Sequence, residues 1–162
     1  MYPALVLKLL ALLALANGVP LAIKDILGQR FAYPVDGGAK LGDGRPLFGT
    51  SKTVRGICLS LLVTSAGAQV MGLGWKIGLM VSAVAMAGDL CSSFLKRRMN
   101  FETSSRATGL DQIPESLFPL LAVRGILSLS AWDIAAGVGL FFAGEVLLSL
   151  LLYKLHLRDR PY

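Results

Sequence analysis

Apolar residues in this chain come in long unbroken stretches, and polar residues are gathered between them rather than alternating with them. Five apolar runs reach or approach the about 20 residues that a spanning helix needs: residues 2–23, 54–73, 75–95, 113–129 and 132–153. The fourth is short and carries Pro114 and Pro119, which predicts a kinked or partly re-entrant start. The first contains "ALVLKLLALLALA" and has the length of a signal peptide, but it lacks a basic leading region. Its apolar character resumes after Asn17-Gly18 with "VPLAI", so it reads as a retained span with a break at Asn17. Polar residues concentrate in 24–53 and 96–112, whereas the connections near 72–74 and 130–133 are short. The pattern predicts one all-α, polytopic membrane domain over residues 1–162, with about five transmembrane helices and two loops on the same side.

Composition strengthens this reading. Of the 162 residues 54% are hydrophobic and only 16% are charged, with a mean hydropathy of +0.64. The formal net charge of +6 would suggest nucleic acid in a soluble protein, but a membrane surface accounts for it here and no nucleic-acid partner is expected. With the five spans in place, Lys24, Arg30, Lys40, Arg45, Lys52, Arg55, Lys96, Arg97, Arg98, Arg106, Lys154, Arg158 and Arg160 fall on one side. Only Lys76 falls near the other face, while Lys8 and Arg124 lie within spans. The positive-inside rule makes the rich side cytoplasmic, with the N-terminus out and the C-terminus in. Cys58 and Cys91 both sit in apolar runs, where neither a disulfide nor a metal site is expected. The single His156 removes His-based zinc sites and His-driven acid–base chemistry.

Three polar constellations stand at the edges of the spans. The first is "DGGAKLGDGRPLFGTSKTVRG", residues 36–56, in which glycines alternate with Asp36, Lys40, Asp43, Arg45, Lys52 and Arg55. Glycine-rich backbone with cations suits phosphate, and equally a flexible loop on anionic headgroups. It is not a Walker A loop, because Thr50-Ser51 separate Gly49 from Lys52. The second is "GDLCSSFLKRR", residues 88–98. Helical spacing puts Asp89, Ser92, Ser93 and Lys96 on one face, with Asp89 roughly 10 Å above the inner end of its span. A carboxylate at that depth needs the bundle interior, water, a cation or a partner such as Lys96 or a neighbouring arginine. The third is "TGLDQIPESLFP", residues 108–119. Asp111 and Glu115 there suit either a hard cation or the capping of a helix start. Arg124 and Glu145 read as lying at similar depth in the last two spans, which predicts an ion pair inside the bundle.

"NGVPL", "DGG…DGRPLFGTSKTVRG", "GDLCSSFLKRR" and "GLDQIPESLFP", in this order, closely resemble the CDP-archaeol synthase family, membrane relatives of the phosphatidate cytidylyltransferases. The resemblance covers essentially the whole chain. It implies transfer of CMP from CTP to a membrane lipid phosphate, with pyrophosphate as the other product and Mg²⁺ as cofactor. On that resemblance Asp89 and Asp111 are expected to hold Mg²⁺, with Glu115 assisting. Lys52 and Arg55 are expected on the CTP phosphates, with Asp43 and Arg45 shaping the loop and Asn17 contacting nucleotide or capping the break. Lys96, Arg97 and Arg98, with Ser93, are expected to steady the lipid phosphate or the leaving pyrophosphate. A CDP-alcohol phosphotransferase is disfavoured, because Asp36-Gly37 is followed by Gly-Ala-Lys and the later spaced aspartates are missing. A small anion transporter would spread its charges through several spans; here they gather at one face. Isoprenoid and acyl lipid tails are not distinguished by these spans.

Overall fold

The computed structural model describes residues 2–101 and 109–154, so Arg106, His156, Arg158 and Arg160 lie outside the described residues. Five helices follow in order: α1 (Pro3–Leu27), α2 (Val54–Val70), α3 (Trp75–Arg98), α4 (Gln112–Leu127) and α5 (Ala131–Lys154). No strand is present among the described residues, and the 28–53 segment holds only the isolated bridges Pro34–Thr53 and Lys40–Pro46. Three stretches, Pro3–Leu27, Trp75–Arg98 and Ala131–Leu151, are long and apolar enough to cross a membrane; α2 is apolar but shorter. The chain is therefore a multi-pass membrane protein.

α1 runs through the centre and touches all four other helices, which follow one another around it as α2–α3–α4–α5. Among the described residues α2 and α5 do not touch, so the helices form an arc and not a closed ring. Leu9, Leu12 and Leu13 of α1 pack with Ala68, Ile77, Val81, Leu120, Val123, Ile134 and Phe141 to make the core. Large apolar side chains also cover the outside: Leu62 is 66% exposed, Leu147 65% and Trp132 78%. A surface of this kind is stable against hydrocarbon, where lipid tails solvate leucine as well as another helix does.

The first helix is longer than its apolar run and has no break. It passes through Asn17, Gly18 and Pro20 to Leu27, and the Asn17 side chain donates one turn back to the Leu13 carbonyl at 3.1 Å. The expectation of an interruption at Asn17 is thus corrected. Pro20 has no N–H, so it leaves the Ala16 carbonyl without its helical donor. Ser60 of α2, fully buried, supplies that donor from its hydroxyl at 2.7 Å. An inserted proline is tolerated here because the neighbouring helix repairs the ladder.

α4 begins cleanly at Gln112; Pro114 falls in its first turn, where no intrahelical amide is needed, and Pro119 is accommodated inside. Gly78 and Gly88 are contact points of α3. A Cβ on Gly78 would stand 2.5 Å from the Thr64 carbonyl oxygen and 2.6 Å from Ala68 Cβ, so its bareness lets α2 approach. Gly74, four residues earlier, instead ends the turn before α3 at φ 87°.

Hydrogen bonds identify the two ends of the bundle. At one, the Tyr2 amide donates to Asp133 at 2.8 Å and Lys8 donates to the Met71 carbonyl at 2.8 Å. Ser130 and Asp133 cap α5 reciprocally there: the serine hydroxyl lies 2.6 Å from the carboxylate and accepts the Asp133 amide at 3.2 Å. The other end carries the long 28–53 loop and the close of α3, and the unusual chemistry is there.

Candidate active site

The glycine-rich loop is organised around one carboxylate. Asp36 accepts from the Gly38 amide at 2.9 Å with one oxygen, and from the Phe48 and Gly49 amides at 2.9 and 3.1 Å with the other. Gly49 stands at φ 96°, a conformation glycine alone adopts without strain. Burial pushes the Asp36 carboxyl up, but the amides of Phe48, Gly38 and Gly49 outweigh it and hold the group below the usual aspartate range. Asp43 is also held low, first by the Arg45 amide and then by the Arg98 guanidinium.

Arginines tie this loop to the helices. Arg98, the last residue of α3, donates to Asp43 at 2.5 Å and to the Pro46 carbonyl at 2.7 Å. Arg45 answers from the loop by donating to the Arg98 carbonyl at 2.8 Å. The two therefore clasp each other's backbone, and Phe94 lies under the Arg98 guanidinium at 5.3 Å. Arg55, in the first turn of α2, donates to the carbonyls of Gly28, at 2.5 Å, and Arg30, closing the far end of α1. In this structure the side chains of Arg45, Arg55 and Arg98 are engaged in holding backbone.

Lys52 is placed differently. Thr53 caps α2 by accepting the Gly56 amide, and the residue before it reaches across to α3. Its ammonium meets both oxygens of Asp89 at 2.5 and 2.6 Å, with the two side chains 22% and 19% exposed. Glu115, from the first turn of α4 and buried, brings its carboxyl close to that of Asp89. Two carboxyl groups in such contact need a proton or a cation between them. Glu145 of α5 is half-buried and lies within electrostatic reach of Glu115.

The remaining expected residues lie beside this cluster. Lys96 is buried and pairs with Asp111 at 2.8 Å. Arg97 is buried too and lies within the field of Asp111. Asp111 precedes α4 but makes no capping bond there. Ser93 is buried, and Ser92 donates to the carbonyl of Asp89 at 3.0 Å. The structure thus unites Lys52, Asp89 and Glu115, and sets Asp111 with Lys96 and Arg97. Among the described residues no three acidic, His or Cys side chains form one metal-holding group. Two hard carboxylates do meet, at Asp89 and Glu115, and that donor set fits a divalent ion that completes its shell with phosphate and water.

Arg124 does not pair with Glu145, which corrects that expectation. Arg124 is exposed and lies in the last turn of α4, at the short-turn end of the bundle. Glu145 lies roughly 20 Å from the start of α5. The 16 residues of α4 carry Arg124 almost to the far side, away from the depth of Glu145.

Comparison with known proteins identifies the family. The CarS-like CDP-archaeol synthase family model matches residues 72–162. A CDP-archaeol synthase of Sulfurisphaera tokodaii is 30% identical over 135 residues, covering 80% of this chain and 81% of its own. One from Sulfolobus acidocaldarius is 32% identical over 135 residues, covering 80% and 83%. A solved structure of an intramembrane enzyme of archaeal membrane lipid biosynthesis superposes with a TM-score of 0.66 at 27% identity, covering 85% of this chain and 90% of that one. The chain belongs to the CDP-archaeol synthase family.

Proposed function

We propose that this protein transfers CMP from CTP to a membrane lipid phosphate of the digeranylgeranylglyceryl type, giving a CDP-activated lipid and pyrophosphate. The observation that carries this reading is the Lys52–Asp89–Glu115 cluster under an ordered glycine-rich loop, in a chain of this family. The lipid phosphate oxygen forms the new bond to the α-phosphorus of CTP, the α–β phosphoanhydride bond breaks, and pyrophosphate carries away the electron pair. The lipid phosphate is its own nucleophile, so the protein needs no covalent intermediate and contributes positioning and charge.

Asp89 and Glu115 are the residues that would hold Mg²⁺, which when bound neutralises the triphosphate and the leaving group. Lys52 leaves Asp89 for the triphosphate and returns when the products depart. Lys96 and Arg97, balanced by Asp111, supply positive field to the phosphates from inside the bundle. Arg45 and Arg98 hold the loop in place over them. The loop end faces the cytoplasm, α2 and α4 complete five spans, and CTP arrives from water while the lipid arrives from the bilayer.

Purified protein in detergent, given CTP, Mg²⁺ and either an ether-isoprenoid or a diacyl lipid phosphate, tests this directly. Pyrophosphate release with the ether-isoprenoid lipid is the expected result. Release only with the diacyl lipid would make the protein a phosphatidate cytidylyltransferase, and no release with either would refute the reading.

A further inference from the structure

The contact between Asp89 and Glu115 depends on how near α3 comes to the start of α4, and one residue controls that distance. A Cβ on Gly88 would stand 2.5 Å from the Pro114 carbonyl oxygen, 2.8 Å from the Pro114 carbonyl carbon and 3.1 Å from the Glu115 nitrogen. All three are backbone atoms, and proline stiffens that turn, so no flexible side chain can give way. Gly88 is adjacent in sequence to Asp89, and its bare face touches the peptide that carries Glu115. We propose that Gly88 is a positioning residue, whose missing side chain brings the α3 and α4 backbones together and thereby sets the Asp89 and Glu115 carboxyls at the spacing that binds a divalent cation.

The proposal rests on the metal role of Asp89 and Glu115 given above. Adding a methyl group at 88 requires the backbones to retreat by about 1 Å to recover an ordinary contact distance. That retreat exceeds the tolerance of a direct hydrogen bond, whose donor–acceptor range spans only about 0.5 Å. Gly78 provides an internal control. Its Cβ would be equally crowded, at 2.5 Å from a carbonyl of α2, but it lies on the same helix away from the carboxylates.

The test measures Mn²⁺ binding by electron paramagnetic resonance, alongside thermal unfolding, on the full-length protein in detergent. Gly88→Ala is expected to weaken Mn²⁺ binding by about 10-fold or more, the usual effect of disturbing the support of metal ligands. Gly78→Ala is expected to lower the unfolding temperature while keeping wild-type Mn²⁺ affinity. Glu115→Asp, which withdraws the carboxyl by one methylene without touching the helix contact, is expected to weaken Mn²⁺ binding with unfolding unchanged. It tests the spacing even if Gly88→Ala does not fold. Wild-type Mn²⁺ affinity in Gly88→Ala or in Glu115→Asp overturns the proposal, as does an equal loss in Gly78→Ala. Asp89→Asn separates the two levels. If it still binds Mn²⁺ normally, the metal assignment falls and the proposal with it; if it loses Mn²⁺ while Gly88→Ala does not, only the proposal falls.

Discussion

Removing the Ser60 hydroxyl should expose the backbone defect that Pro20 creates in α1. Ser60→Ala deletes the 2.7 Å donor to the Ala16 carbonyl, at a site where both residues are fully buried. A buried carbonyl left without a partner costs about 1–3 kcal/mol in soluble proteins, and interhelical hydrogen bonds in membranes run nearer about 0.6–1.7 kcal/mol. We therefore expect a loss of about 1 kcal/mol, or about 2–4 °C in unfolding temperature for a chain of this size. Pro20→Ala restores an N–H at position 20 and keeps the Cβ that faces Gly56, 3.2 Å from where a Cβ on that glycine would stand. In that background the hydroxyl is redundant, so Ser60→Ala should then cost almost nothing. The assay is a double-mutant cycle on SDS-induced or thermal unfolding in micelles, read as loss of helical signal. The coupling should approach the full cost of Ser60→Ala. Additivity of the two changes would refute the repair, and would mean that Ser60 stabilises α2 for some other reason.

Other expectations concern the site. Lys52→Met should lower kcat/KM for CTP by about 100-fold or more through loss of transition-state charge stabilisation, while Mn²⁺ binding persists or tightens because Asp89 loses its competitor; loss of both would make Lys52 a structural partner only. Arg98→Ala should release the loop from α3, raising KM for CTP more than it changes kcat and speeding tryptic cleavage after Lys40; unchanged proteolysis would show that the clasp is dispensable. Asp36, held below the usual aspartate range by its amides, stabilises the loop fully above the unfolded carboxyl's pKa and loses that contribution as pH falls through its own lower value. The loop should therefore become protease-sensitive only in acid below the ordinary aspartate range, and Asp36→Asn should be sensitive already at neutral pH. An acid-insensitive wild-type loop would remove Asp36 as its organiser.

The helices were legible because hydrocarbon imposes a simple demand: long apolar runs, with charge only where it is compensated. Asp89 stood out on that ground. The apolar run of α1 stops at Ile23, since Lys24-Asp25 looks like the start of a loop, yet the helix carries these charged residues past the apolar zone to Leu27. Asn17-Gly18 reads as a break in sequence, and the helix continues past Pro20 because of a group held on another helix, the Ser60 hydroxyl. The same limit applied to the cations. Sequence identifies which residues carry charge and on which face, but a long side chain chooses its partner through tertiary contact. Lys52 and Asp89 are separated by 37 positions, and Arg98 and Asp43 by 55. Gly88 is silent in sequence, because a glycine in an apolar helix signals nothing until its neighbour is known.

The arc of helices around α1 has a consequence for how the rate should be measured. Because α2 and α5 do not meet among the described residues, one flank of the central helix, with Leu7 63% and Leu21 54% exposed, is left uncovered by protein and open to lipid in a bilayer. On the proposed reading the two substrates then belong to different phases. Nucleotide is encountered per unit volume, whereas lipid is encountered per unit area by diffusion in two dimensions. Saturation with lipid should follow its mole fraction in the micelle or bilayer. Diluting the surface with inert lipid at constant bulk concentration should slow the enzyme, while diluting the whole suspension at saturating CTP should leave its turnover unchanged.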